Sequence, residues 1–223
     1  MNSHTRRFLV PLAMALMALS VPMGVAHAVL VLDQVFDPGP MPTVGSGVSL
    51  DIPKAQTFTV GLAGTLARVD VDILRQASVG NGPLLFDVRA TTGSGAPIEN
   101  NATTLASFTV PAATVPTTFG FFSVDVSAFG IPVTPGEILA IVLRGTRTDT
   151  DYEWVGGFPN PYPAGAAYFR NASAGFPTWT LAGDDLGFKT FVAVAPAPST
   201  VVLLGAGLAA LGGVAWRRRH RRK

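Results

Sequence analysis

Apolar and polar residues alternate with period two along the middle of this chain. In Arg68-Val-Asp-Val-Asp-Ile-Leu74, Val69, Val71 and Ile73 fall on one face, and Arg68, Asp70 and Asp72 on the other. Phe86 and Val88 alternate with Asp87 and Arg89, and Phe122, Val124 and Val126 with Ser123 and Asp125. This is the pattern of half-buried antiparallel strands with one wet face. Residues 137–143 (EILAIVL) are apolar on both faces, which predicts a central strand. Turn signals separate these runs at Gly61–Gly64, Gly80–Pro83, Gly93–Pro97, Thr134–Gly136 and Gly156-Gly157. About ten short strands at this spacing predict an all-β domain over residues 29–194, an antiparallel two-sheet sandwich of jelly-roll type. A chain of about 165 residues buries roughly 70% of its surface, so it needs no disulfide. The sequence shows no internal repeat and no second domain.

The two ends follow different patterns. Residues 1–28 read as a secretory signal peptide. Arg6 and Arg7 form a positive n-region, Phe8–Leu19 an apolar stretch, and Ala26-His27-Ala28 the small-x-small pattern, with Ala26 and Ala28 set for signal peptidase. Pro22 and Gly24 interrupt the apolar run before it spans a bilayer, so the mature chain is expected to begin near Val29. Residues 195–223 divide into a hinge (195–200), an apolar run (201–216) and a basic tail (217–223). At 1.5 Å per residue the run reaches roughly 24 Å as a transmembrane helix, short of a hydrocarbon core of about 30 Å. Arg217, Arg218, Arg219, Arg221 and Arg222 hold the tail in the cytoplasm and leave the domain outside.

This tail resembles the PEP-CTERM sorting signal of Gram-negative bacteria over about thirty residues, Val194 to Lys223. Pro196, Ala197, Pro198, Ser199 and Thr200 stand where the family has its Pro-Glu-Pro motif, with Ala197 in place of the glutamate. The resemblance implies an exosortase as partner and anchoring in the inner membrane during sorting. It further implies delivery to the cell surface or extracellular matrix, in association with exopolysaccharide or biofilm. Ala197 leaves cleavage by the exosortase open, and a generic tail anchor is the plainer alternative. The central domain also resembles the β-sandwich modules carried by such proteins. The matching residues are Ala55-Gln-Thr-Phe-Thr59, Pro135-Gly136-Glu137, Tyr152-Glu-Trp154, Tyr162 with Gly165, Trp179, and Asp185-Leu-Gly-Phe-Lys189. That likeness implies a fold more than an activity.

Composition narrows the chemistry. The 223 residues include no cysteine, and the three histidines, His4, His27 and His220, all lie in the terminal segments. The domain therefore holds no Ser-His-Asp triad, Cys-His pair or zinc finger. Setting aside the eight basic residues of the two ends leaves 8 basic against 14 acidic residues, a net of −6. That excludes a basic nucleic-acid-binding face. Asp149, Asp151 and Glu153 stand at i, i+2 and i+4, where oxygen ligands suit Ca²⁺; EF-hand spacing is absent, and a solvated strand edge is the plainer reading. Asp184-Asp185 is a second candidate pair, or a turn. A glycosidase needs two carboxylates in one cleft, but no motif marks them, and Lys54 and Lys189 have no recognisable Ser-Lys spacing. Asn101 and Asn171 open glycosylation sequons, against which a bacterial source argues.

These readings favour an exported, non-catalytic surface or matrix protein, with a carbohydrate-binding module and then a carbohydrate-active enzyme as alternatives. A platform for polysaccharide would come from Tyr152, Trp154, Tyr162 and Trp179. All three tyrosines and two of the three tryptophans lie between residues 152 and 179. Aromatics with a polar handle suit both core rims and sugar-stacking surfaces. The platform needs at least two exposed rings, whereas the neighbouring Gly156, Gly157 and Gly165 favour tight core packing.

Overall fold

The computed structural model describes residues 28–39, 44–77, 82–195 and Arg217, and residues 28–195 belong to one compact unit. The first strands are β1 (Val29–Phe36), β2 (Val44–Val48), β3 (Lys54–Thr59), β4 (Gly64–Arg75), β5 (Leu84–Ala90), β6 (Thr104–Val110) and β7 (Phe121–Asp125). They are followed by β8 (Ile131–Val133), β9 (Ile138–Gly145), β10 (Tyr152–Gly157), β11 (Ala167–Asn171), β12 (Phe176–Leu181), β13 (Asp185–Leu186) and β14 (Phe188–Val194).

These strands build two antiparallel sheets. The first runs β1-β14-β4-β10-β13, with β2 on β10 and β7 and β8 on β4; the second runs β12-β11-β3-β9-β5-β6. The alternation read from sequence sets which side of each strand is dry. Val69, Val71 and Ile73 of β4, and Phe86 and Val88 of β5, are fully buried. They share one core with Phe58 of β3, Leu139, Ile141 and Leu143 of β9, and Phe188 of β14. The Phe58 and Phe188 rings meet at 5.8 Å, so the two sheets face each other as a β-sandwich. Each such aliphatic or aromatic side chain contributes roughly 1.5–3 kcal/mol by leaving water.

The central-strand expectation for residues 137–143 has a structural reason. β9 lies between β3 and β5. Its outward Ala140 and Val142, with Ala55 of β3, are covered by Tyr168 and Trp179, so both faces of the strand are dry. One expectation needs correction: Gly156-Gly157 is not a turn but the end of β10. A Cβ at Gly156 would lie 2.9 Å from Asp184 Oδ2, and one at Gly157 2.7 Å from the Phe36 ring. Close approach, not chain reversal, calls for glycine there.

The expected leader, the hinge from residue 196, the apolar run and all of the basic tail but Arg217 lie outside the described residues; Arg217 is exposed. Among the described residues no helix is long and apolar enough to cross a membrane.

Candidate functional site

The aromatic cluster divides between two sides of the second sheet. Tyr152 and Trp154 point from β10 into the core, both fully buried. The Trp154 indole N–H donates to the Gly187 carbonyl at 2.8 Å, and the Tyr152 hydroxyl to the Gly82 carbonyl. Tyr162 is buried too, its ring edge-on to Phe188 at 5.2 Å and its hydroxyl donating to Gln34 Oε1 at 2.8 Å. Burial, then the charge of Asp151, pushes the Tyr152 phenol up to about 12. Tyr162 is raised by burial, with Asp33 and Asp185 adding to it. The platform of Tyr152, Trp154, Tyr162 and Trp179 is therefore corrected: three of its rings are core, and only Trp179, half-buried on β12, reaches the outside. A spacing of two residues places Tyr152 and Trp154 on one face, and that face is the inner one.

The acidic triplet does not converge either. Asp149 is exposed and paired with Arg147 at 3.0 Å. Asp151 is fully buried and accepts the Gly82 N–H at 3.1 Å. Glu153 accepts a hydrogen bond from Gln76. Arg147 also stands 3.8 Å from Asp151, and no group of three or more metal-ligating side chains occurs among the described residues. The alternative calcium reading of Asp149, Asp151 and Glu153 is corrected accordingly, and so is the solvated strand edge at Asp151, which is buried.

Asp185, the second acidic candidate, belongs to a buried network that sequence reasoning did not assemble. Gln56 Nε2 donates to Asp185 Oδ1 at 3.2 Å, and the Tyr162 N–H to Asp185 Oδ2 at 2.6 Å. Gln56 Oε1 in turn accepts the Leu186 N–H at 2.7 Å. With its nitrogen facing Asp185, the Asn160 amide adds donors at 3.0 and 3.1 Å. Burial pushes the Asp185 carboxyl up, while the Tyr162 and Gln56 donors pull it back. Lys54 is lowered by burial against the opposing charge of Asp184. Gly165 completes the arrangement, because a Cβ there would lie 1.9 Å from the Thr57 carbonyl. The network fastens the β10–β11 connection onto β3, so it serves the fold.

Two of the surface depressions among the described residues combine charged and aromatic side chains. One, about 380 Å³, is lined by Asp37, Asp72, Phe119 and Phe121. Burial, then the neighbouring Asp37, pushes the Asp72 carboxyl up, with a Gly120 backbone donor opposing. Two carboxylates, one of them raised, thus line a common cleft.

The other lies on the outer face of the second sheet. Leu85, Asp87, Arg89, Ser107, Phe129 and Arg144 line a depression of about 470 Å³. Leu85, Asp87, Arg89 and Arg144 also line a smaller hollow shared with Pro53, Glu99, Val142, Arg170 and Trp179. The period-two alternation sends Asp87 and Arg89 outward while Phe86 and Val88 fill the core. Ser107 Oγ donates to Asp87 at 2.7 Å, Asp87 accepts Arg89 Nε at 3.0 Å, and Glu99 lies 3.8 Å from Arg89 and 3.5 Å from Arg170. The Arg170 guanidinium sits 5.2 Å from the Trp179 ring centre. Arg144 makes no ion pair or hydrogen bond among the described residues. Of these residues only Trp179 was singled out by sequence; the rest come from strands and loops far apart in the chain. Comparison of this chain with protein-family models and with curated proteins gives no match.

Proposed function

We propose that this chain is an exported, non-catalytic surface or matrix protein, a β-sandwich of jelly-roll type sorted through a PEP-CTERM-like tail. One observation carries the reading. In the β1–β14 pair, Val29 is opposite Val194, so the chain enters and leaves the domain at neighbouring residues. The expected leader precedes the first of these and the expected hinge follows the second. Signal peptidase would act after Ala28 and an exosortase near Pro196–Thr200, releasing the domain to the cell surface or matrix, where exopolysaccharide is the polymer it meets.

The test is the covalent state of the protein recovered from surface material. N-terminal sequencing should start near Val29, and mass spectrometry should show Arg217–Lys223 removed. An intact C-terminus would overturn exosortase sorting and leave a tail anchor; an intact N-terminus would overturn cleavage of the leader.

A further inference from the structure

We propose that the outer face of the second sheet binds a carboxylate-bearing sugar polymer, a polyuronate, with Arg144 taking the carboxylate and Trp179 the sugar face. The charge distribution points there first. The domain carries 8 basic and 14 acidic residues, yet three of its arginines, Arg89, Arg144 and Arg170, gather on this one face. Asp87 engages Arg89, and Glu99 stands between Arg89 and Arg170. Arg144 is left over. Its guanidinium has five N–H donors in a planar fork, and here it is half-buried beside Leu85, Val142 and Pro53. In such a partly dry setting, a bidentate carboxylate is the partner that best matches the fork.

The neighbouring ring decides which kind of carboxylate. Trp179 is half-buried, resting against Ala55, Ala140 and Val142 with Arg170 beside it, which fixes its orientation. The Trp179 N–H is buried without a hydrogen-bond partner, so what the half-buried indole leaves outside is flat apolar ring, suited to the C–H face of a pyranose ring. An acidic peptide fits less well, because extended peptides are captured mainly by main-chain bonds at a free sheet edge. β3 and β9, which carry the floor of this face, are paired on both edges. Arg144 on β9 therefore takes the carboxylate through its side chain alone, while Trp179 stands at the edge of the sheet on β12. An open depression of about 470 Å³ beside Arg144 accommodates a chain passing over it.

This inference rests on the proposed export only for where the polymer is met; binding is read on purified protein, so failure of sorting and failure of binding are separate results. The full chain in mild detergent is applied to immobilised polygalacturonate, dextran and polyglutamate. Retention is expected on polygalacturonate, reduced by salt, with weak retention on the other two. Arg144→Gln should weaken it about tenfold or more, the loss of one charge-assisted bidentate pair. Arg68→Gln on the first sheet makes the same change in net charge and should leave retention unchanged. Trp179→Ala should also abolish retention, and Trp179→Phe, which keeps a ring over Ala55 and Val142, should retain part of it if the larger deletion unfolds the sheet edge. Equal losses from Arg144→Gln and Arg68→Gln, equal retention on dextran or polyglutamate, or no retention at all would each overturn the proposal.

Discussion

Replacing Trp154 by alanine tests the packing described here most directly. The side chain is fully buried between the sheets, on a strand whose register places Trp154 opposite Ile73 of β4 on one side and Ser46 of β2 on the other. Emptying a buried tryptophan site costs about 3–5 kcal/mol through lost transfer energy and the cavity left behind. The Gly187 carbonyl also loses its indole donor, held at 2.8 Å, for about 1 kcal/mol more. The sum, about 4–6 kcal/mol, is a large share of the 5–15 kcal/mol typical of a domain. For this size it corresponds to a fall in Tm of roughly 10–20 °C. Trp154→Phe keeps most of the ring and loses the donor, so it should cost about 1–3 kcal/mol, and the gap between the two variants measures packing alone. Urea unfolding is the assay: the midpoint should move while the slope stays constant, since the surface exposed on unfolding is unchanged. A loss below about 1 kcal/mol for the alanine variant would place the indole in solvent and refute the assignment of β10's inner face.

Two further predictions concern the buried network. Gly165→Ala puts a methyl against the Thr57 carbonyl, a backbone atom 1.9 Å away, so the β10–β11 connection must lift from β3. Loss of about 3 kcal/mol or more is expected, with faster hydrogen exchange at Thr57 and Thr59, whose N–H groups bond to Ala166 and Ala164; unchanged exchange at both would count against the contact. Asp185 and Asp72 are both raised above 3.8, so the folded state holds protons that the unfolded state releases. Their stabilisation is complete below the ordinary aspartate range and is lost as pH rises through the folded-state values. Urea midpoints taken upward from pH 4 should show this decline, and Asp185→Asn should flatten it; an identical slope in that variant would show that Asp185 is not raised.

How much of this was legible in the sequence depends on how local each feature is. Val69, Val71 and Ile73 declare their face because every second neighbour is charged. β9 was readable as central because its outer Ala140 and Val142 are as apolar as its inner residues. Glycine, however, marks a turn and a close approach with the same letter, which is why Gly156-Gly157 reads as a reversal when it lies under Asp184 and Phe36. Spacing likewise places Tyr152 and Trp154 on one side of a strand without saying which side is dry. Gln56 and Asp185 are 129 residues apart, and nothing local marks them as partners. β8 and β13, three and two residues long, are too short for periodicity to show.

The division between scaffold and surface follows from where the distinctive residues lie. Gln56, Trp154, Tyr162, Gly165 and Asp185 all act inside, pinning one connection and filling one core. Replacing any of them alters the free energy of the fold, so a change in ligand binding would follow the unfolded fraction. Arg89, Arg144 and Arg170 lie on the outer face, where Trp179 lines the same hollow. The Arg144 side chain has no ion-pair or hydrogen-bond partner among the described residues, and its backbone pairs with Leu85 whatever side chain stands there. Surface substitutions of this kind usually stay within about 0.5 kcal/mol. Under the proposed reading, Arg144→Gln should therefore leave the urea midpoint nearly unchanged while retention on polygalacturonate falls.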